Sequence, residues 1–292
     1  SWNDVGTETG YVVWRHTANV FGSATAIYTN ATDDVAYDDA DAAPGTLYYY
    51  WVTATNAAGS SGASTSDSGY RALTAPANVA ATDGTSLDNV TITWDAATGA
   101  TAYKIFRDTD SDPAGATELG VQSSGYADTS ATVGQLYYYW VVASNSSSAS
   151  QSAYSSSDTG YRKLPTVVDV TASYDLYNTK IEVQWTDDAG ETSYGIWRYT
   201  SDVGASATFV GSAAANATNY SDTTATPGTE YYYWVRATNN TSASQSDLQA
   251  SGALGRRLDP NLPAVTTDDP TEITQASAKG GGNVNDTGGS AV

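Results

Sequence analysis

The sequence predicts an all-β chain of tandem β-sandwich domains, arranged as beads on a string. Three observations carry that prediction. The run Tyr-Tyr-Tyr-Trp-Val occurs three times at nearly even spacing, at Tyr48–Val52, Tyr137–Val141 and Tyr231–Val235, and self-similarity at a long period marks one unit repeated. Short segments that alternate apolar and polar residues lie between clusters of Gly, Asp, Asn and Pro, which is how half-buried strands are written. No helical period persists, and no apolar run is long enough to cross a bilayer.

The second unit is the fullest and sets the order of elements. It opens on Asn78-Val79-Ala80-Ala81 and an Asp-Gly turn, then alternates through Val90-Thr91-Ile92-Thr93-Trp94. Tyr103-Lys104-Ile105-Phe106-Arg107 follows, then a loop of Asp, Gly and Pro, then Tyr126-Ala127-Asp128 and the Tyr-rich strand. A polar stretch closes the unit on Gly160-Tyr161-Arg162-Lys163-Leu164. The third unit repeats the order with Ile181–Trp185, Tyr194–Arg198, Tyr220-Ser221-Asp222 and the strand from Tyr231. In the first unit Trp2 stands where Trp94 and Trp185 stand. Tyr11–Arg15, Tyr37-Asp38-Asp39 and the strand from Tyr48 come after it. Strands this short, at this spacing, read as sandwiches.

Composition narrows the function classes. The chain has 292 residues, 32 acidic against 12 basic, and a net charge of −20. Such a surface repels nucleic acid and anionic lipid, so neither is an expected partner and no membrane insertion is expected in this segment. There is no Cys, which removes disulfides and thiolate zinc sites. His16 is the only histidine and has no counterpart in the other units. No nucleophile–base set, paired acid and base, or phosphate-cradling glycine loop is legible, and the chain reads as non-enzymatic.

A Trp closing the second strand, a Tyr-x-Val/Ile-x-Arg third strand, and the pattern Pro44-Gly45-Thr46-Leu47-Tyr48 through Asn56 resemble fibronectin type III domains. Gly134 through Asn145 and Pro227 through Asn239 match nearly as well. The ending Asp158-Thr159-Gly160-Tyr161-Arg162 is similar to tandem copies in long bacterial secreted and cell-surface proteins. The resemblance covers residues 1–258 and implies seven-stranded Ig-like sandwiches. The expected domains are 1–73 (lacking its first strands), 74–164, 165–258, and 259–292 as opening strands of a fourth, Gly-rich fibronectin-like unit. Two readings of the ends stay open. The chain is a window cut from a longer repeat protein, or the tail is a donor strand that fills the gap in the first unit of a neighbouring copy. The resemblance also places Tyr48, Tyr137 and Tyr231 at the family's tyrosine corner, with the hydroxyl bonded to nearby backbone. Asp39, Asp128 and Asp222 precede that strand as caps of backbone N–H groups.

With the family's inward positions at Tyr48, Tyr50, Val52 and Ala54, strand alternation turns Tyr49 and Trp51 outward. The same count turns out Tyr138 and Trp140, then Tyr232 and Trp234. On the neighbouring strand Trp14, Phe106 and Trp197 join them. These nine aromatics are the expected interaction face, since contiguous exposed apolar patches mark contacts. The alternative is that they pair across strands, with Arg71, Arg162, Arg256 or Arg236 stacked over the rings. Trp2, Trp94 and Trp185 are expected in the core.

Asp108, Asp110 and Asp112 alternate in one loop, a weak calcium candidate that lacks the Gly and terminal Glu of an EF-hand. No other cofactor is expected. Asn30, Asn89, Asn145, Asn216 and Asn239 begin Asn-x-Ser/Thr sequons and are glycosylation candidates. The functional expectation is an extracellular or cell-surface structural protein, a segment of a filament, sheath or stalk. Its partners are neighbouring copies of itself or adjacent repeats. The alternatives are an adhesin or carbohydrate-binding accessory module with polysaccharide as partner, or a passive spacer of a secreted polysaccharide-degrading enzyme.

Overall fold

The computed structural model describes residues 1–31, 33–261, 264–271 and 279–286, the last two segments as backbone strands. The chain divides into two compact units. Residues 1–83, 88–131 and 136–161 form the first; residues 84–87, 132–135 and 162–292 form the second.

The first unit holds the first sandwich sheet and most of the second sandwich. Strands β1 (Gly10–His16), β2 (Thr25–Thr29), β3 (Leu47–Asn56), β4 (Gly59–Ser60) and β5 (Asp67–Tyr70) make one antiparallel sheet, ordered β2-β1-β3-β4 with β5 also on β3. Tyr37-Asp38-Asp39 forms no strand, and beside it Trp2 N donates to Val35 O at 3.0 Å. The second sandwich is complete. Strands β6 (Ala80–Ala81), β7 (Val90–Thr93) and β10 (Tyr126–Asp128) form one sheet. Strands β8 (Ala102–Asp108), β9 (Thr117–Gln122), β11 (Tyr137–Asn145), β12 (Ser150–Gln151) and β13 (Asp158–Gly160) form the other.

The second unit repeats this plan. Strands β14 (Thr171–Ala172), β15 (Ile181–Gln184) and β18 (Asn219–Asp222) face β16 (Ser193–Tyr199), β17 (Thr208–Ala214), β19 (Glu230–Asn239), β20 (Ser244–Gln245) and β21 (Ala253–Arg256). After them β22 (Ala264–Thr271) and β23 (Lys279–Asp286) pair antiparallel. Residues 262–263, 272–278 and 287–292 of the expected fourth unit lie outside the described residues.

Alternation builds each core. In β7 the side chains of Val90 and Ile92 are fully buried while Thr91 and Thr93 turn away, and Ile105, Tyr139 and Val141 meet them from the other sheet. Trp94 and Trp185 are buried as expected, each against the Tyr that opens the next strand, Tyr103 at 5.5 Å and Tyr194 at 5.2 Å. Trp2 makes the same contact with Tyr11 at 5.4 Å but is only half-buried. The three strands β1, β8 and β16 share a bulge at the same register, after Val13, Ile105 and Ile196.

A buried ion pair recurs in every repeat, and in the second and third it ties the two sheets together. Arg107 on β8 donates to Asp128 on β10 at 2.6 Å, and the Tyr139 hydroxyl on β11 donates to the same carboxylate oxygen at 3.0 Å. The second oxygen accepts Ser130 N at 2.9 Å and Ser130 Oγ at 2.6 Å. Asp222 takes Arg198, Tyr233 and Thr224 in the same way. In the first repeat Asp39 takes Arg15 at 2.6 Å, Tyr50 at 2.9 Å and Asp41 N at 3.2 Å. Burial alone would raise the pKa of Asp128 and Asp222. The hydrogen bonds and the facing guanidinium outweigh it and hold both carboxyls below the ordinary carboxylate value. A buried charge so fully paired is costly to break, because removing one partner strands the other.

At Tyr231 the tyrosine-corner expectation needs correcting. Tyr48, Tyr137 and Tyr231 lie with their rings under Arg15, Arg107 and Arg198, each guanidinium 4.4 Å from the ring centroid. The Tyr231 hydroxyl reaches Thr226 Oγ1 at 3.4 Å, not the backbone. The long-range anchor belongs to the next inward tyrosines, Tyr50, Tyr139 and Tyr233, and it ends on a carboxylate.

Candidate interaction surfaces

The nine aromatics expected on an open face lie on the side of their sheet away from the core clusters, yet none is exposed. Trp51, Trp140 and Trp234 are 5%, 3% and 0% exposed, and Trp14, Tyr49, Phe106, Tyr138, Trp197 and Tyr232 are half-buried. This corrects the expectation of a solvent-facing patch. Local segments close over the rings. In the first repeat the 3-10 turn Phe21–Ser23 sets Phe21 edge-on against both Trp14 (5.5 Å) and Trp51 (5.9 Å). In the second, Tyr154 packs edge-on against Phe106 at 5.0 Å, and Tyr138 stacks on Trp140 at 6.3 Å.

In the third repeat Trp234 fills the space between Gly204 and Gly252. A Cβ on Gly252 would sit 2.8 Å from the indole ring, so only glycine lets the loop lie on it. Trp197 lies across Gly195, with Phe209 at its edge (5.4 Å) and Arg236 over its face (5.3 Å). Arg236 thus stacks as expected. The other arginines do not join the face: Arg71 donates to Ala40 O at 2.9 Å and Arg162 to Leu87 O. Arg256 pairs with Asp175 and lies over Tyr174 at 4.6 Å. What this side of the sheet offers to solvent is the rim, where Phe209 is 59% exposed on strand β17.

The first sandwich carries a groove of about 790 Å³ where the complete repeats hold a second sheet. Trp2, Val13, Tyr37, Val52, Gly69 and Arg71 are among its walls. Three equivalent glycines calibrate it. A Cβ on Gly160 would be 2.7 Å from Val90 and 2.8 Å from Ala81, and on Gly255 it would be 2.8 Å from Ala172. On Gly69 it would meet nothing within 4 Å. The strand β5 (Asp67–Tyr70) that lines the groove therefore presents an uncovered flank, the kind of edge other strands add to.

The structure does not bring Asp108, Asp110 and Asp112 together around a cation. Each spends an oxygen on its own loop: Asp108 on Thr109 N, Asp110 on Asp112 N and Asp112 on Ala114 N, the last two at 2.9 Å. These are successive side-chain-capped turns. Among the described residues the acids whose oxygens converge within 4.8 Å are Asp4, Glu8 and Asp33. Asp4 accepts the Tyr11 hydroxyl at 2.8 Å and Glu8 accepts Asp33 N at 3.3 Å.

Two of the sequons are corrected by geometry. Asn145 and Asn239 are buried, and the amide nitrogen a glycan would occupy donates to Gly99 O (2.6 Å) and Gly190 O (2.7 Å). Asn30 is committed as well, accepting Tyr11 N at 2.7 Å and donating to Asp34 O at 2.7 Å. Asn89 is half-buried and accepts the Thr91 hydroxyl at 3.1 Å, while Asn216 is exposed in a left-handed turn.

No protein-family model matches the chain. It is similar to Exoglucanase B of Cellulomonas fimi, with 32% identity over 254 residues, which is 80% of this chain and 21% of the relative. The chain thus spans about a fifth of that relative's length. Among solved structures it is similar to chicken CNTN1 FN1-FN3 domains (19% identity, 85% of this chain and 89% of that one, TM-score 0.30). A two-fibronectin type-III-domain segment from chicken tenascin matches at 17% identity over 61% of this chain and 97% of that one, TM-score 0.46. An Fn3-like protein from Clostridium thermocellum matches at 27% identity over 32% of this chain and 92% of that one, TM-score 0.28.

Proposed function

The chain is a tandem series of fibronectin type III-like β-sandwiches, and we propose that it serves as a non-catalytic spacer region of an extracellular enzyme acting on a polysaccharide. One observation carries this reading: the nine aromatics expected to form an open stacking face are buried or half-buried against their own repeats. A spacer needs a stable body and an inert, hydrated surface, and the net charge of −20 supplies the second. The 32% identity to Exoglucanase B supports the choice of enzyme class.

The test is co-sedimentation of the chain with microcrystalline cellulose and with soluble glucans, beside a hydrolysis assay. A spacer stays in the supernatant and releases no reducing sugar. Retention on one polysaccharide would replace this reading with a carbohydrate-binding module, and sugar release would overturn it outright.

A second reading, a filament or sheath built by strand exchange, is favoured by the open groove of the first sandwich. It requires concentration-dependent assemblies in electron micrographs, and a chain that stays monomeric across its soluble range removes it.

A further inference from the structure

One set of contacts occurs once in each compact unit, and no side chain in it belongs to the aromatic face or the ion-pair triads. In the first unit the turn before β3 meets the second sandwich. Ser148 Oγ donates to Gly45 O at 2.5 Å, and Asn145 Nδ2 donates to Gly99 O at 2.6 Å. Gly99 has φ +82° and approaches so closely that a Cβ there would lie 1.9 Å from Pro44 O. Leu73 is buried beside both glycines. In the second unit Ser242 Oγ donates to Gly134 O at 2.6 Å and Asn239 Nδ2 to Gly190 O at 2.7 Å. Gly190 has φ +93°, a Cβ there would lie 2.3 Å from Val133 O, and Leu164 is fully buried.

Two half-sites make up the set. The socket is a Gly four residues before the Tyr of the third strand, together with Asn-x-x-Ser-Ala-Ser, whose Ala149 or Ala243 sits at positive φ. The plug is the Gly turn before the Tyr-rich strand, with a Leu two residues after the Arg that accepts its N–H. The second sandwich carries both halves. The first has the plug but lacks the socket, since Thr7 stands four residues before Tyr11 and Asn56-Ala57-Ala58-Gly59 replaces the serine loop. The third has the socket but lacks the plug's leucine. Its Gly228 donates to Arg257 O at 2.9 Å, and Asp259 occupies the place of Leu73 and Leu164, 3.3 Å from a Cβ on that glycine. Gly228 is exposed where Gly45 and Gly134 are buried.

We infer that this set is a selective repeat-to-repeat joint, whose partner is another sandwich presenting a Gly turn and a leucine. A plug offered to the first sandwich meets the Thr7 side chain, and a socket offered to the third meets a carboxylate in place of an apolar anchor. What adjoins either of those faces is joined by different contacts. The inference does not depend on the proposed spacer role.

The experiment installs the chain's own non-joining residues at the first joint. Because the chain has no Cys, Ala26→Cys and Thr117→Cys, both exposed, give unique spin-label sites on the first and second sandwiches. Pulsed dipolar spectroscopy on the full chain then reads the distance distribution. The parent should give one narrow distribution. Gly99→Thr and Leu73→Asp should each abolish it, leaving a broad one, with tryptophan emission unchanged. Ser148→Ala, which removes one hydroxyl and leaves the fold, should broaden it less. A parent distribution as broad as that of the variants, or variants as narrow as the parent, overturns the joint.

Discussion

The Asp128 carboxylate, with no exposed surface, is held by the Arg107 guanidinium at 2.6 Å across the two sheets of the second sandwich. The pair sits where a strand of one sheet crosses the other, so its integrity reports on whether the sheets remain stacked. Protonating the carboxylate would take away the charge that the guanidinium faces.

Asp128 and Asp222 are both held below the ordinary carboxylate value. A group depressed in the folded state stabilises it fully above the unfolded pKa and loses that contribution as pH falls through the folded pKa. Urea melts should accordingly give a free energy of unfolding that is flat from pH 7 to 5, then falls from about pH 4 downward. Asp128→Asn should flatten that fall for the second sandwich. A slope of the same steepness in the variant would mean that other carboxylates set the acid limit.

Arg107→Met should be the costliest change at this site. It strands a buried carboxylate, which typically removes about 3–5 kcal/mol. Tyr139→Phe leaves the ion pair in place and deletes one hydrogen bond to a charged group, about 1.5–3 kcal/mol. Equilibrium denaturation orders the two. The reverse order would indicate that the hydroxyl, not the guanidinium, is the chief partner of Asp128.

Trp234→Ala should act on stability and not on association. The ring is fully buried between Gly204 and Gly252, and truncating a buried Trp costs about 3–5 kcal/mol. Thermal melts and light scattering on one sample separate the outcomes. A variant that melts like the parent but loses an oligomer would restore the aromatic face as an interaction surface.

The groove of the first sandwich should take up a strand pair in trans. A synthetic peptide of residues 78–93, which fills the matching space in the second sandwich as β6 and β7, should raise the lowest melting transition of the chain. A scrambled peptide should not. Equal shifts from both would reduce the effect to non-specific apolar binding.

Much of the architecture was legible because strands write their burial with period two. Val90, Ile92, Trp94 and the inward Tyr139 and Val141 declared the core directly, and the side of the sheet taken by Trp140 followed from them. What covers Trp140's side was not legible. Phe21, Tyr154, Gly252 and the 3-10 turns belong to loops, where no period says what a side chain will rest on. The caps at Asp39, Asp128 and Asp222 could be read from local sequence, but their arginines lie on another strand, and only the fold brings them together. Asn145 shows the same limit from another side. Its three-letter context marks a sequon, while its amide is spent on a carbonyl of Gly99, 46 residues away in sequence.

The uneven distribution of half-sites constrains how this array can grow. The second sandwich alone carries a socket and a complete plug, so it alone can be copied in place without creating a mismatched junction. Duplication of residues 74–164 inserts a module that accepts the Gly45 turn on one side and offers Gly134 on the other. Duplication of the first sandwich sets Thr7 against a Gly turn, and duplication of the third sets Asp259 into an apolar seat. Lengthening by recombination is thereby channelled through the middle module, and a four-sandwich version made that way should express and melt as well as the parent.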